Sequence, residues 1–286
     1  MNISPQKFIF GTANLLTTYG QKSSYLDANT SFKLLNTAYK KKIKILDISS
    51  DYKIFKKRFQ RSFLNKWQIS FKISSNVIKL LNSKEKISKY MNSVFNKFKC
   101  TRLDYILFHH ENDLLKKNGK LFFDYLIQLK KRKIIKKIGV SLYNFDNTFK
   151  IIRDIPIDVI QVPFNILDQR LLEKKNLRFI KKNKIEVHVR SIFLQGLLVD
   201  RKIVPQKFLR DKKFKMWFDY IEKKNKNPLN EIFLFLKKNK FIKKIIIGAR
   251  TKNQLNEIIF NSFDFKKFDY SIFKSNNPKT IDPRKW

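Results

Sequence analysis

The feature that most constrains the fold is a repeated alternation of short apolar runs with amphipathic stretches. Eight runs rich in Ile, Val, Leu and Phe have the length of buried β-strands, and helical spacing of apolar residues follows them. Buried strands separated by helices are typical of a parallel sheet covered on its faces. Eight such units in 286 residues predict a single-domain α/β fold, a (β/α)8 TIM barrel over residues 1–286. An open doubly wound sheet is the alternative, weakened because no Gly-x-Gly-x-x-Gly turn follows an early strand.

The same periodicities predict where each element lies. Strands are expected at 7–13, 43–47, 67–73, 103–109, 137–142, 158–164, 185–193 and 243–247. Helices are expected at 29–42, 54–65, 85–99, 120–133, 148–153, 171–183, 214–223, 228–240 and 251–261.

Four residues suited to proton transfer follow the second, third and fourth strands. Asp47 ends the second strand, Tyr52 comes five residues later, and Lys72 and His109 end the next two strands. Parallel barrel strands deliver their carboxyl ends to one mouth, on neighbours about 5 Å apart. We therefore expect the four side chains to meet.

Together, these four residues predict a site that protonates an oxygen atom as negative charge develops on it. The Tyr52 phenol is a poor acid at its ordinary pKa of about 10, but an adjacent Lys72 ammonium would lower that pKa. Asp47 would keep Lys72 ionised, and His109 could donate a hydrogen bond to the same oxygen. Taken singly, each residue also has a structural explanation, as a loop anchor, packing aromatic, solvated strand end or core histidine.

The motifs resemble those of aldo-keto reductases along nearly the whole chain, in FIFGTANL, ILDISSDY, ISFKI, LDYILFHHE, IKKIGVSLYNF, IDVIQVPFN, VHVRSIFLQGLL and IIIGARTKNQL. The resemblance implies a barrel enzyme that reduces aldehydes or ketones with a nicotinamide cofactor, usually the 2'-phosphorylated one. It also implies that Asp47, Tyr52, Lys72 and His109 are the catalytic tetrad, with Tyr52 as general acid. Ile48-Ser49 departs from the Thr-Ala usual after the aspartate, and Arg190 stands where many relatives have an aromatic that stacks on nicotinamide.

The cofactor residues follow from the same resemblance. It places Ser141 and Gln161 beside the nicotinamide carboxamide, and a helix start after the eighth strand beside the adenosine 2'-phosphate. There, Thr251 and Gln254 predict a capping box, and Arg250 with the exposed amides suits a phosphate. Arg250 and Lys252 favour NADPH over NADH, and no metal is expected. The residues assigned to the cofactor are Thr12, Ser141, Gln161, Arg190, Ser191, Phe193, Gly248, Ala249, Arg250, Gln254 and Glu257.

The segment VHVRSIFLQGLL and the ending DPRKW resemble a bacterial branch of the family associated with polysaccharide or sugar-nucleotide pathways. That resemblance implies a sugar-derived carbonyl substrate. The alternative function is an NADPH-binding barrel that acts as a redox sensor or regulatory subunit with little turnover.

The formal net charge of +40 raises the question of nucleic-acid binding. The lysines are spread from Lys7 to Lys285 rather than gathered in one tail or patch, which favours a compositional drift towards Lys, Asn, Ile and Phe over dedicated polyanion binding. The single Cys100 and the absence of a signal segment or long apolar run predict a soluble cytoplasmic protein that does not enter membranes. We expect a monomer or weak oligomer with a small-molecule carbonyl substrate.

Overall fold

Eight parallel strands close into a barrel in the computed structural model, which describes residues 3–17, 25–56, 64–143, 145–260 and 268–286. Each strand pairs with the next along the chain, and β8 pairs with β1. This confirms the predicted (β/α)8 TIM barrel. The strands are β1 Phe8–Gly11, β2 Ile45–Ser49, β3 Gln68–Ile73, β4 Leu103–Phe108, β5 Ile135–Ser141, β6 Val159–Pro163, β7 Glu186–Arg190 and β8 Ile242–Ile247.

Helices surround the barrel in the described residues. They are Ala28–Lys40, Lys53–Lys56, Ser75–Leu80, Lys84–Phe98, Lys117–Lys131, Phe145–Ile152, Lys174–Lys182, Gln206–Leu209, Lys212–Lys223, Pro228–Lys238, Lys252–Ile259 and Pro278–Ile281. Several begin at a polar side chain that accepts a hydrogen bond from a first-turn amide, as the caps Asp27, Ser83, Asp211 and Asn227 do. No helix in this part of the chain is both long and apolar enough to cross a membrane.

The strand predictions are confirmed with small shifts of their ends, except at β7. The sequence predicts that this strand continues to Phe193, but it stops at Arg190 because Ser191 has a φ of 56°, outside the extended region. The predicted helix at 54–65 begins as Lys53–Lys56, and residues 57–63 lie outside the described part of the chain. Helix Ser75–Leu80 is an addition that the sequence reading missed. The assignment of all of 1–286 to one domain stays a prediction.

The barrel interior is packed. A cluster of Ile9, Ile45, Leu107 and Val159 fills it together with the ring of Tyr105. Packing of this kind closes the barrel below its carboxyl end, as in other barrels of this class.

A buried polar network lies beside this cluster. Nε2 of His188 is 2.7 Å from Oε1 of Glu186, and the Tyr105 hydroxyl donates to the same oxygen at 3.1 Å. Lys137 also contacts Glu186. Glu186 is the first residue of β7, so this network belongs to the amino-terminal end of the barrel, and the polar side chains at the strands' carboxyl ends form a separate group.

Candidate active site

An ion pair between Asp47 and Lys72 lies at the carboxyl-terminal mouth of the barrel. Asp47 is in β2 and Lys72 is in β3, where its register partner is Ser49. Lys72 Nζ is 2.6 Å from Asp47 Oδ2, and the two side chains are only 3% and 4% exposed. Each charge depends on the other, because an unpaired charge at this depth would be strongly destabilising.

Gln161 of β6 joins the pair from across the barrel. Its Nε2 donates to Asp47 Oδ1 at 2.8 Å, and its Oε1 accepts from Lys72 Nζ at 2.9 Å. Burial by itself would lower the pKa of Lys72, but the Asp47 carboxylate raises it through its charge and its hydrogen bond, and the pKa lies above its ordinary value. Lys72 is therefore an ammonium at neutral pH.

Tyr52 lies in the loop after β2, where its backbone N–H donates to the Ser49 carbonyl at 3.0 Å. Lys72 Nζ is 5.4 Å from the centroid of the Tyr52 ring. Burial raises the pKa of Tyr52 above its ordinary value, while Lys72 acts to lower it. The lowered pKa expected from the sequence is thus wrong, because burial outweighs the neighbouring charge. The phenol is neutral at neutral pH and retains the proton that a general acid must donate.

His109 follows β4 and is held by its backbone N–H, which donates to the Ile73 carbonyl at 2.9 Å. Its ring stands at 86° to that of Tyr52, with centroids 6.4 Å apart. Burial, with a further contribution from the charge of Lys72, lowers the pKa of His109 to about 3. The imidazole is therefore neutral at physiological pH, and it can act as a hydrogen-bond donor through one nitrogen only.

Ser49 lies beside one of the two ring nitrogens of His109. Its Oγ lies 3.2 Å from His109 Nδ1, and the Asp51 N–H donates to the same Oγ at 3.3 Å. We expect the Ser49 hydroxyl to donate its proton to Nδ1, which would leave the proton of the neutral ring on Nε2. The sequence reading noted Ser49 only as a departure from the usual alanine, and its side-chain hydroxyl at a strand end was the available signal.

Two residues of the loop after β1 fix neighbouring strand ends. The backbone N–H and the hydroxyl of Thr12 both donate to the Asp47 carbonyl, at 3.1 and 2.8 Å. Asn14 donates from Nδ2 to the Ala249 carbonyl at 2.7 Å and so ties this loop to the one after β8. Thr12 is fully buried, and its observed contact is with β2. Its assignment to the cofactor stays a prediction, and Asn14 was missed.

Ser141 and Gln161 are register partners at the ends of β5 and β6. A hydroxyl and an amide side by side have the donors and acceptors that a carboxamide group requires. Both side chains are buried, and both amide atoms of Gln161 are engaged by Asp47 and Lys72. The predicted contact of this pair with the nicotinamide is therefore chemically suitable and stays a prediction.

The chain turns sharply after β7. Ser191 has a φ of 56°, and its carbonyl accepts a hydrogen bond from Asn165 Nδ2 at 3.1 Å. Phe193 packs edge-on against Phe233, with centroids 5.9 Å apart. Arg190 donates to the Leu142 carbonyl at 3.1 Å. These residues lie at or just after the carboxyl end of β7, the same end of the barrel as the tetrad, and their assignment to the cofactor stays a prediction.

The loop after β8 leads into helix Lys252–Ile259. Thr251 is its N-cap and accepts from the Gln254 N–H at 3.1 Å, which confirms the first half of the predicted capping box. The second half is wrong, because Gln254 Oε1 accepts from the Arg250 N–H at 2.9 Å rather than from Thr251. The helix start and the Arg250 and Lys252 cations form a donor set that fits a phosphate.

The remaining predicted residues of this loop lie in suitable places. A Cβ on Gly248 would meet nothing closer than 3.9 Å, so the backbone there is open to a ligand. Ala249 is buried, and Gln254 and Glu257 are exposed on the helix. Among the described residues, no group of three or more His, Cys, Asp or Glu side chains is placed to hold a metal ion.

The chain matches the model of the aldo/keto reductase family over residues 7–277 and belongs to this family. It is thus an oxidoreductase, in a family that acts on small carbonyl compounds with a nicotinamide cofactor. The search of the curated proteins gave no match.

Solved structures of aldo-keto reductases share the fold. AKR11C1 from Bacillus halodurans, in its holo form, is 15% identical, with 91% of this chain and 88% of that chain covered and a TM-score of 0.69. Glycerol dehydrogenase AKR11B4 from Gluconobacter oxydans is 16% identical, with 91% and 88% covered and a TM-score of 0.63. An Asp-to-Ala mutant of Gox0644 in complex with NADPH is 14% identical, with 90% and 84% covered and a TM-score of 0.62.

His109 provides a direct test of the site's electrostatics. Because its pKa is held at about 3, we expect its ring resonances not to titrate between about pH 5 and 8, with the proton on Nε2. The folded pKa lies below the unfolded value, so the unfolded chain binds the proton more tightly. His109 therefore contributes to a loss of stability as the pH falls from about 6.5 towards 3.

The measurement is NMR of the imidazole nitrogens, with His109→Gln to assign the signals. Ser49→Ala should weaken the preference for the Nε2 proton, whereas Ser50→Ala, which removes a hydroxyl that accepts from the Ser74 N–H, should not. A His109 midpoint near the ordinary value of about 6.5 would contradict this description of the site.

Proposed function

We propose that this chain reduces an aldehyde or ketone to an alcohol with NADPH, and that Tyr52 is the general acid. The observation that carries the proposal is the buried network of Asp47, Lys72 and Gln161 beside a neutral phenol. Buried charge of this kind contributes little to stability, so its placement at the functional mouth of a barrel supports a catalytic role.

Each residue of the tetrad has a step that its environment supports. His109 donates from Nε2 to the carbonyl oxygen of the substrate and orients it. Tyr52 then transfers its proton to that oxygen as negative charge develops there. The Lys72 ammonium stabilises the phenolate that Tyr52 becomes, and Asp47 keeps Lys72 charged and in position.

The cofactor would lie across the same mouth. When bound, NADPH supplies the hydride that reduces the carbonyl carbon. Ser141 and Gln161 would hold the carboxamide, and the helix start after β8 would hold the 2'-phosphate with Arg250 and Lys252. The remaining predicted residues of this set would line its path: Thr12, Ser191, Phe193, Gly248, Ala249, Gln254 and Glu257.

The substrate is proposed to be derived from a sugar, on the resemblance of VHVRSIFLQGLL and DPRKW to one bacterial branch. The redox-sensor alternative shares the cofactor site and differs only in turnover, so single-turnover hydride transfer to a test aldehyde separates the two. Location in the cytoplasm is a further proposal, which the single Cys100 supports because a reducing compartment disfavours disulfide frameworks. A monomeric or weakly oligomeric state is proposed as well.

Replacing the proposed acid should separate catalysis from binding. Tyr52→Phe removes the proton donor and little volume, so we expect kcat for carbonyl reduction to fall by about 10²–10⁴-fold, while NADPH still quenches protein fluorescence with similar affinity. Tyr125→Phe, in helix Lys117–Lys131 outside the barrel, is the matched control and should retain turnover. A Tyr52→Phe enzyme with unchanged kcat would refute the assignment.

Cofactor choice depends on the cation after β8. Arg250→Ala should weaken NADPH binding by about 10–100-fold, because a charge-assisted hydrogen bond is lost, and should leave NADH binding within about threefold. Lys243→Ala removes the same charge from the other end of β8 and serves as the control. Fluorescence titration of both cofactors gives the comparison, and equal losses for the two would place the phosphate elsewhere.

A further inference from the structure

Three arginines surround Tyr143, the second residue after β5. The guanidinium carbons of Arg190 and Arg284 lie 3.9 and 3.4 Å from the centroid of its ring. Arg170 donates from its NH1 nitrogen to the Tyr143 carbonyl at 3.0 Å. The three come from different parts of the chain, namely β7, the loop after β6 and the C-terminal segment, and they meet at Tyr143, beyond the carboxyl end of β5, as one arginine cluster.

Two members of the arginine cluster are neutralised by an aspartate two residues earlier. Arg170 forms a two-point ion pair with Asp168, at 2.8 and 2.7 Å. Arg284 does the same with Asp282, at 2.9 and 2.6 Å. These arginines have their charge-assisted bonds within the chain and need no outside anion.

Arg190 lacks such a partner among the described residues. Its hydrogen bonds go to the Leu142 carbonyl at 3.1 Å and to the Ser191 hydroxyl at 3.4 Å, both neutral groups. The residue two before it is His188, which pairs with Glu186 instead. The Arg190 side chain is half-buried, and a partly desolvated cation without a counter-charge is unfavourable unless an anion joins it.

Arg190 lies close enough to the tetrad for its charge to act on two of the tetrad's side chains. The charge of Arg190 opposes the protonation of both Lys72 and His109 and so acts to lower the pKa of each, although the pKa of Lys72 stays raised overall; Arg190 therefore lies within electrostatic range of these groups. The Lys72 ammonium of the tetrad is already matched by Asp47. An anion at the mouth could therefore pair with Arg190, whose positive charge has no counter-charge among the described residues.

We propose that Arg190 binds an anionic group of the substrate, a carboxylate or a phosphate, and that the enzyme acts on carbonyl compounds that carry such a group. The planar fork of a guanidinium suits the two oxygens of either anion. Stacking on Tyr143 holds the fork in place. The inference rests on the proposed carbonyl reductase function and gives it a substrate class. It differs from the assignment of Arg190 to the nicotinamide, and the affinity of the Arg190→Met variant for NADPH distinguishes the two assignments.

The test compares matched substrate pairs. One pair is 4-oxobutanoate and butanal, and the other is glyceraldehyde 3-phosphate and glyceraldehyde, so the two pairs separate carboxylate from phosphate. The protein's net charge of +40 attracts any anion, and assays at about 0.3 M salt screen that general attraction. We expect kcat/KM to favour the anionic member of at least one pair by about tenfold or more in the full-length enzyme.

Arg190→Met should lower kcat/KM for the preferred anion by about 10–100-fold more than for its neutral partner, mainly through KM. Arg190→Lys, which keeps the charge without the fork, should lie between the two, and it replaces the methionine variant if that variant does not fold. Arg284→Met removes the same unit of net charge from a residue already paired with Asp282, and it should have little effect.

Distinct outcomes overturn distinct claims. Neutral and anionic substrates that lose equal activity in Arg190→Met, together with weaker NADPH binding, would assign Arg190 to the cofactor and end this proposal. A wild-type enzyme without preference for either anion would end it as well, while its reduction of butanal would leave the carbonyl reductase function standing. If no carbonyl compound is reduced, the proposed function fails, and the substrate class fails with it.

Discussion

The buried ion pair of Asp47 and Lys72 is the constraint on which the rest of the site depends. Two charges that are almost fully removed from water are stable only when their geometry and their remaining hydrogen bonds are well satisfied. Gln161 supplies those bonds to both partners. Because the pair occupies the mouth rather than the packed interior, the Lys72 ammonium lies close to the Tyr52 phenol. There it can stabilise the phenolate that remains when Tyr52 gives up its proton.

The barrel brings these groups together because the register of strand pairing sets how far along the barrel each side chain lies and which face of the sheet it projects from. In β2 and β3, Asp47 lies opposite Ser70 and Ser49 lies opposite Lys72, so residues two apart share one face of the pleat. Asp47 and Ser49 consequently project from the same face of β2, the first towards Lys72 and the second towards His109. One short strand thus supplies Asp47 of the tetrad and contacts two other members, Lys72 and His109.

Sequence reasoning predicted the parts of this arrangement that follow from periodicity. The eight strands and the meeting of Asp47 and Lys72 come from apolar runs that end in polar residues. The direction of the Tyr52 pKa was wrong because burial depends on loop packing, which no local pattern encodes. The bonds of Gln161 and the contact of Ser49 with His109 were missed because they join residues 60 or more positions apart. Assigning which polar atoms pair across a barrel requires its register.

A double-mutant cycle on the ion pair tests the central claim most directly. Urea unfolding would be measured for the wild type, Asp47→Asn, Lys72→Met and the double variant. If the pair is buried and mutually dependent, Lys72→Met should cost about 3–5 kcal/mol, and the double variant should recover much of that loss while lacking turnover. Small, additive costs of about 1 kcal/mol or less would show instead that the two groups are solvated and independent, and would contradict this account of the site.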